Sequence, residues 1–222
     1  GARKYLDRVL AGRIPKPGRI NLNPMLTKKG KLYGDLTVAC LTEEKFMIFG
    51  SGAVQEMHRR WFEFYLPESG VNYRNSSDEY HGLAISGPNS RELMKKIYRE
   101  DVSNEGFKFR DTRETFVGGV PAIVNRLSFT GELGYEIYTA PQFQIKLFEE
   151  IEKNGKDLGL KIFGGRALMS MRLEKNWGAW TLDFRPDFTA AESGLDFFIN
   201  WDKQFIGKES ALKEKKEGPK NN

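Results

Sequence analysis

The sequence predicts an α+β fold: largely antiparallel strand pairs, with helices packed against them. Three observations carry this. Runs rich in β-branched and aromatic residues come in pairs separated by short polar turns. Apolar stripes at helical spacing follow those pairs, and glycine or proline marks most of the junctions. A doubly wound parallel sheet would alternate single strands with helices, which this chain does not do.

Taken in order, Arg13-Ile-Pro-Lys-Pro-Gly18 is a turn whose two prolines forbid helix. Leu36–Cys40 and Lys45–Phe49 form strands joined by Thr42-Glu43-Glu44, and Gly50-Ser51-Gly52 ends the pattern. Val54, Met57, Trp61, Phe64 and Tyr65 then recur at helical spacing, predicting an amphipathic helix over 53–66 with His58 on its solvated side. Leu83-Ala84-Ile85 is a short strand, Gly87-Pro88-Asn89 a helix entry, and Leu93, Met94, Ile97 and Tyr98 an apolar stripe. Val120–Ser128 and Leu133–Thr139 are strands around Thr130-Gly131-Glu132. A helix over 142–158 presents Phe143, Leu147, Phe148 and Ile151 and stops at Gly159, and another spans 165–175. Trp177 and Trp180 are expected in the core. Residues 1–207 read as one domain, and 208–222 as a charged tail, solvated and frayed.

Composition narrows the chemistry. Cys40 is the one cysteine, so no intrachain disulfide forms and no thiolate-pair metal box exists; a reducing compartment suits it, with Cys40 as a small buried residue. His58 and His81 are not at metal-ligand spacing. The net charge of +5 is spread along the chain, which argues against a nucleic-acid partner but allows attraction for small polyanions. No apolar stretch is long enough to cross a membrane, and Gly-Ala-Arg-Lys-Tyr-Leu at the start has no signal-peptide core. There is no Gly-x-x-x-x-Gly-Lys-Ser/Thr loop. Gly50-Ser51-Gly52 lacks the third glycine of a dinucleotide fingerprint, since residue 55 is Gln.

Two carboxylates stand out by context. Asp35 sits where Lys28-Lys29-Gly30-Lys31 feeds an apolar strand, and so is expected at a strand start beside lysines. Glu136 lies in Gly134-Tyr-Glu-Ile-Tyr138, on the face opposite Tyr135 and Ile137. A carboxylate there is costly unless something pairs with it. On composition alone the partner is a lysine or arginine of this chain. Arg172 and Glu174, two apart on a helix, do not face each other, so each is expected to make a structural ion pair elsewhere.

Leu127-Ser-Phe-Thr-Gly-Glu-Leu-Gly-Tyr-Glu136 resembles the Tyr-Thr-Gly-Glu-x-Gly-aromatic-Glu signature of the glycine-cleavage aminomethyltransferase family. Further segments agree in order: Gly18-Arg19-Ile20 with Met25-Leu26, Asp35-Leu-Thr-Val38, Ile85-Ser-Gly-Pro88, Arg172-Leu-Glu-Lys175, Glu192-Ser-Gly-Leu195 and Phe205-Ile-Gly-Lys208. Arg172–Lys175 followed by Ala179-Trp180 is most similar to the folate domains of dimethylglycine and sarcosine dehydrogenases. The resemblance implies a site for the pterin ring of tetrahydrofolate. The glutamate matching Glu136 would accept the two parallel N–H donors of the aminopyrimidine edge. The aspartate matching Asp35 would orient the reactive amine and move a proton. Leu22, Thr37 and Phe49 match positions that line the slot. Phe129 stands where the family has tyrosine, so its ring packs without a hydroxyl.

The implied reaction is capture, on tetrahydrofolate, of a one-carbon unit from a methylated amine such as dimethylglycine, sarcosine or glycine. The implied partner is an FAD-dependent amine oxidoreductase domain or subunit, since no FAD fingerprint occurs here. The implied location is the cytoplasm, or the mitochondrial matrix in a eukaryote. Two departures bear on this. The arginine that aminomethyltransferases carry four residues before the one matching Arg172 is Leu168 here, as in the dehydrogenase-type members. The family segment before Arg3 and the β-barrel after Lys208 find no match. Rival readings are a dimethylsulfoniopropionate-type demethylase and a non-enzymatic folate-binding maintenance protein. The latter's Gly-Cys-x-x-Gly-Gln-Glu segment has no counterpart at Phe205–Glu209.

Overall fold

The computed structural model describes residues 1–219, and the chain folds into two compact units. One joins Gly1–Asn75 to the chain from Gly178 onward, and the other is Ser76–Trp177. The sequence read these as a single domain.

The first unit opens with helix α1 (Ala2–Val9), which buries Tyr5, Leu6 and Val9. Three antiparallel strands follow in the order β1 (Arg19–Leu26), β2 (Leu32–Cys40), β3 (Phe46–Phe49). Pro24 is tolerated because β1 is an outer strand. The β1–β2 turn closes through Gly30, whose φ of 76° suits a residue without a Cβ. Leu36 and Val38 point with Met25 into a core shared with α1 and with helix α2 (Gln55–Phe64). The register of α2 differs from the expected stripe. Its buried positions are His58 and Phe62, whereas Phe64 is 77% exposed. His58 is therefore internal, not solvated: its Nε2 bonds the Tyr33 carbonyl at 2.9 Å and its ring meets Trp180 edge-on.

The second unit has four strands in the order β4 (His81–Ser86), β7 (Gly134–Thr139), β6 (Val120–Asn125), β5 (Thr112–Val117). Between β4 and β5 lies helix α3 (Ser90–Ile97), and after β7 come α4 (Gln144–Gly155) and α5 (Gly165–Glu174). Tyr135, Ile137, Val124 and Val117 on one sheet face pack with Leu93, Met94 and Leu147 of α3 and α4. Gly118-Gly119, with φ of 58° and 75°, make the two-residue turn joining β5 to β6, a geometry that glycine permits in both positions.

The chain then returns to the first unit and ends in α6 (Lys208–Glu217). The expected frayed tail is a packed helix over these residues. Ala211 is buried, Ser210 donates to the Lys28 carbonyl, and Lys215 lies over the Trp201 ring at 4.3 Å. Residues 220–222 of that tail lie outside the described residues. Trp180 is in the core as expected, while Trp177 is half-buried. Cys40 is buried, with Arg3 Nη2 3.3 Å from its sulfur. Among the described residues no helix is long and apolar enough to cross a membrane, and no cluster of His, Cys, Asp or Glu could hold a metal.

Candidate functional site

In the first unit, strand register groups four of the residues named from sequence. Leu22 pairs with Thr37, and Thr37 with Phe49. Directly opposed residues of antiparallel strands project from the same face about 5 Å apart. These three half-buried side chains therefore form one row across the sheet. Asp35 lies two residues from Thr37 on the same face, opposed to Pro24. The other face, with Leu36 and Val38, is in the core. What remains is a strip of aliphatic carbon, a hydroxyl and a phenyl ring, with a carboxylate one row along.

Burial pushes the Asp35 carboxyl up to about 7, offset only in part by its own backbone N–H. The expectation of a strand start beside lysines is corrected here. Strand β2 begins at Leu32, which leaves Asp35 inside it, and lysine charge is not what sets its proton affinity.

In the second unit, Glu136 of β7 opposes Ala84 of β4 and Asn125 of β6, and Asn125 opposes Thr112 of β5. The result is a row Ala84–Glu136–Asn125–Thr112 on the face away from α3 and α4. Burial raises the Glu136 carboxyl above the usual glutamate range. The Tyr138 hydroxyl, which donates to Oε2 at 2.9 Å, and the positive charge of Lys175 lower it in part. The expected pairing with a lysine or arginine is not made as a direct contact. Lys175 instead donates to the Ser128 carbonyl at 2.8 Å, and the partner on Glu136 is a neutral phenol. Among the described residues Oε1 has no partner.

The signature segment Ser128–Gly134 is a structured loop, which explains its composition. Ser128 and Thr130 bond each other at 2.9 Å, and the Leu133 carbonyl accepts from Gly87 N and Ser90 Oγ. Gly131 has a φ of 85° beside the Lys175 side chain. A Cβ on Gly134 would come within 2.5 Å of Ser128 Cβ. Phe129 is half-buried in this loop. Arg172 is buried and donates to the Trp177 carbonyl at 2.8 Å.

Tyr138, Asn125 and Thr112 were missed from the sequence. Tyr138 was legible, since a residue two along a strand shares a face. Asn125 and Thr112 were not, because only cross-strand register brings them beside Glu136. A separate cleft of about 350 Å³, lined by Tyr80, Phe116, Ile123 and Phe143 among others, includes neither Glu136 nor Phe129.

This fold, with a recessed carboxylate two residues past a signature loop, is that of a one-carbon-transfer family. The family described as the GCVT N-terminal domain matches residues 1–203, and the chain belongs to it. It is 36% identical to the mitochondrial dimethylglycine dehydrogenase of Homo sapiens, over 98% of this chain and 26% of that protein. It is 31% identical to the aminomethyltransferase of Halothermothrix orenii, over 98% of this chain and 61% of that protein. Among solved structures, the glycine cleavage system aminomethyltransferase T of Bartonella henselae superposes with a TM-score of 0.83 at 21% identity, covering 97% of this chain and 58% of that one. The chain thus spans about a quarter of the dehydrogenase and about three-fifths of the aminomethyltransferase.

Proposed function

We propose that this chain binds tetrahydrofolate and serves the transfer to it of a one-carbon unit from a methylated amine such as dimethylglycine, sarcosine or glycine. The observation that carries this reading is Glu136. It is a carboxylate recessed in an aromatic strand, its direct partner is a neutral hydroxyl, and Oε1 is left over. The aminopyrimidine edge of a pterin presents two parallel N–H groups that one carboxylate accepts together. A guanidinium already on Glu136 would occupy the same lone pairs, so the absence of a direct cation suits this ligand. The Leu22–Thr37–Phe49 row is a flat, mainly apolar surface of the kind a ring packs on, and the Phe129 ring carries no hydroxyl to bond a ligand.

Bound tetrahydrofolate supplies the amine nitrogen that takes up the one-carbon unit. The part of Asp35 is to hold that amine in orientation, to steady positive charge and to give or take a proton at its carboxyl oxygen. A group that titrates near 7 does this with little driving-force penalty in either direction. Oxidation of the methylated amine falls to an FAD-dependent oxidoreductase domain or subunit. The dimethylglycine dehydrogenase relatives, which this chain matches over about a quarter of their length, support that partner. Their mitochondrial designation supports a matrix location in a eukaryote and leaves the cytoplasm for a bacterium.

Titration of the chain with reduced tetrahydrofolate by calorimetry tests the reading. Saturable one-to-one binding that disappears in Glu136→Ala is expected. Undiminished binding in that variant would remove the pterin fork from Glu136.

A further inference from the structure

Asn125 is fully buried in β6, directly opposed to Glu136 on one side and to Thr112 on the other. Its side-chain amide has two ends. One is taken: Thr112 Oγ1 and Asn125 Oδ1 are 2.7 Å apart. The other, Nδ2, is buried and has no hydrogen-bond partner. Turning the amide over does not remove the problem, because Thr112 serves one end and the remaining end is still orphaned. A buried donor left unmade costs about 1–3 kcal/mol, so its retention in the middle of a sheet calls for an explanation. With Oδ1 bonded to Thr112 of β5, the directly opposed residue on the other flanking strand, β7, is Glu136.

We infer that Asn125 is a positioning residue for Glu136, its amide N–H being held ready for the carboxylate when ligand is bound. This rests on the folate reading above. An ionised carboxylate accepts about four hydrogen bonds. A pterin edge takes two, one on each oxygen, and the Tyr138 hydroxyl takes a third on Oε2. The fourth, on Oε1, falls to Asn125. Both flanking groups are neutral donors. The Tyr138 hydroxyl already offsets part of the desolvation that raises the glutamate's proton affinity, and a bonded Asn125 amide would add to this while leaving the carboxylate's charge for the ligand. A lysine in either place would neutralise the acceptor and compete with the pterin N–H groups.

The test is tetrahydrofolate affinity of the full chain, by calorimetry between pH 5 and 8, for the parent, Asn125→Leu, Asn125→Thr, Glu136→Gln and the double variant Asn125→Leu/Glu136→Gln. Losing one charge-assisted bond should weaken binding about tenfold at neutral pH in both Asn125 variants. The donor favours the ionised carboxylate, so its removal raises the glutamate's proton affinity. Binding should then fail at a higher pH on acidification than in the parent. In the Glu136→Gln background the Asn125 change should cost nothing further. Asn125→Leu also removes the acceptor of the buried Thr112 hydroxyl and so should lower ligand-free stability, measured by thermal unfolding. A role confined to that contact would give an affinity loss that depends neither on pH nor on Glu136. Parental affinity and pH profile in both Asn125 variants would overturn the inference, as would an equal loss at every pH. Failure of the parent to bind tetrahydrofolate would instead sink the folate reading beneath it.

Discussion

Asp35 and Glu136 are both carboxylates set inside strands, and burial lifts the proton affinity of both, yet their surroundings differ. Asp35, on the middle strand of the three-stranded sheet, has its own backbone as the group that offsets burial. Glu136, on an inner strand of the four-stranded sheet, has a phenol in contact, a lysine charge at a distance and an unspent amide one strand away. The first arrangement leaves a group that exchanges its proton near neutral pH. The second surrounds a group whose proton affinity a neutral donor and a distant charge lower. The proton affinity of a buried carboxylate is thus set by which donors the fold places around it.

The predictions test how sharp that division is. Glu136→Ala should show the largest effect. Two charge-assisted hydrogen bonds of about 1.5–3 kcal/mol each are lost, so tetrahydrofolate binding falls at least about hundredfold and below calorimetric detection. Asp35→Ala should spare binding to within a few-fold while slowing one-carbon transfer by about 10²–10⁴, the usual worth of a general acid–base group. Single-turnover assays with an amine-oxidising partner measure it, and a loss of affinity equal to the loss of rate would merge the two roles.

Stability offers a third test. Asp35 binds its proton more tightly folded than unfolded, so its contribution to stability is present in full below about pH 4, falls as pH rises toward 7 and is lost above that. Asp35→Asn should therefore raise stability at pH 8 by on the order of 2 kcal/mol and change nothing at pH 4. Denaturant titration at the two pH values checks both statements. The smallest effect belongs to Tyr138→Phe, which should cost about 1 kcal/mol of folate affinity and move the acid limit of binding upward. An unchanged acid limit would mean that the phenol does not support the carboxylate.

Much of this was legible in the chain. The α2 helix, the strand pair before it, the left-handed Gly159 that closes the 3-10 turn Lys156–Leu158 after α4, and the alternation that sets Glu136 apart from Tyr135 and Ile137 all follow from local periodicity. Strand β5 escaped notice although Gly118-Gly119 between two β-rich runs is a hairpin signal, because Thr112-Arg-Glu-Thr carries little apolar weight. Helix α1 and helix α6 escaped as well. Their sequences are dominated by charge, and a few buried contacts hold each in place.

The sequence by itself determined the fold class and the family and singled out two carboxylates, because strand and helix periods and a short signature are local properties. Tertiary structure decided what surrounds those carboxylates. That His58 is internal, that Leu22, Thr37 and Phe49 share a row, and that Asn125 and not a lysine stands beside Glu136 depend on register between strands distant in the chain. A one-residue slip in that register would turn every one of these side chains to the opposite face, and no local pattern specifies it.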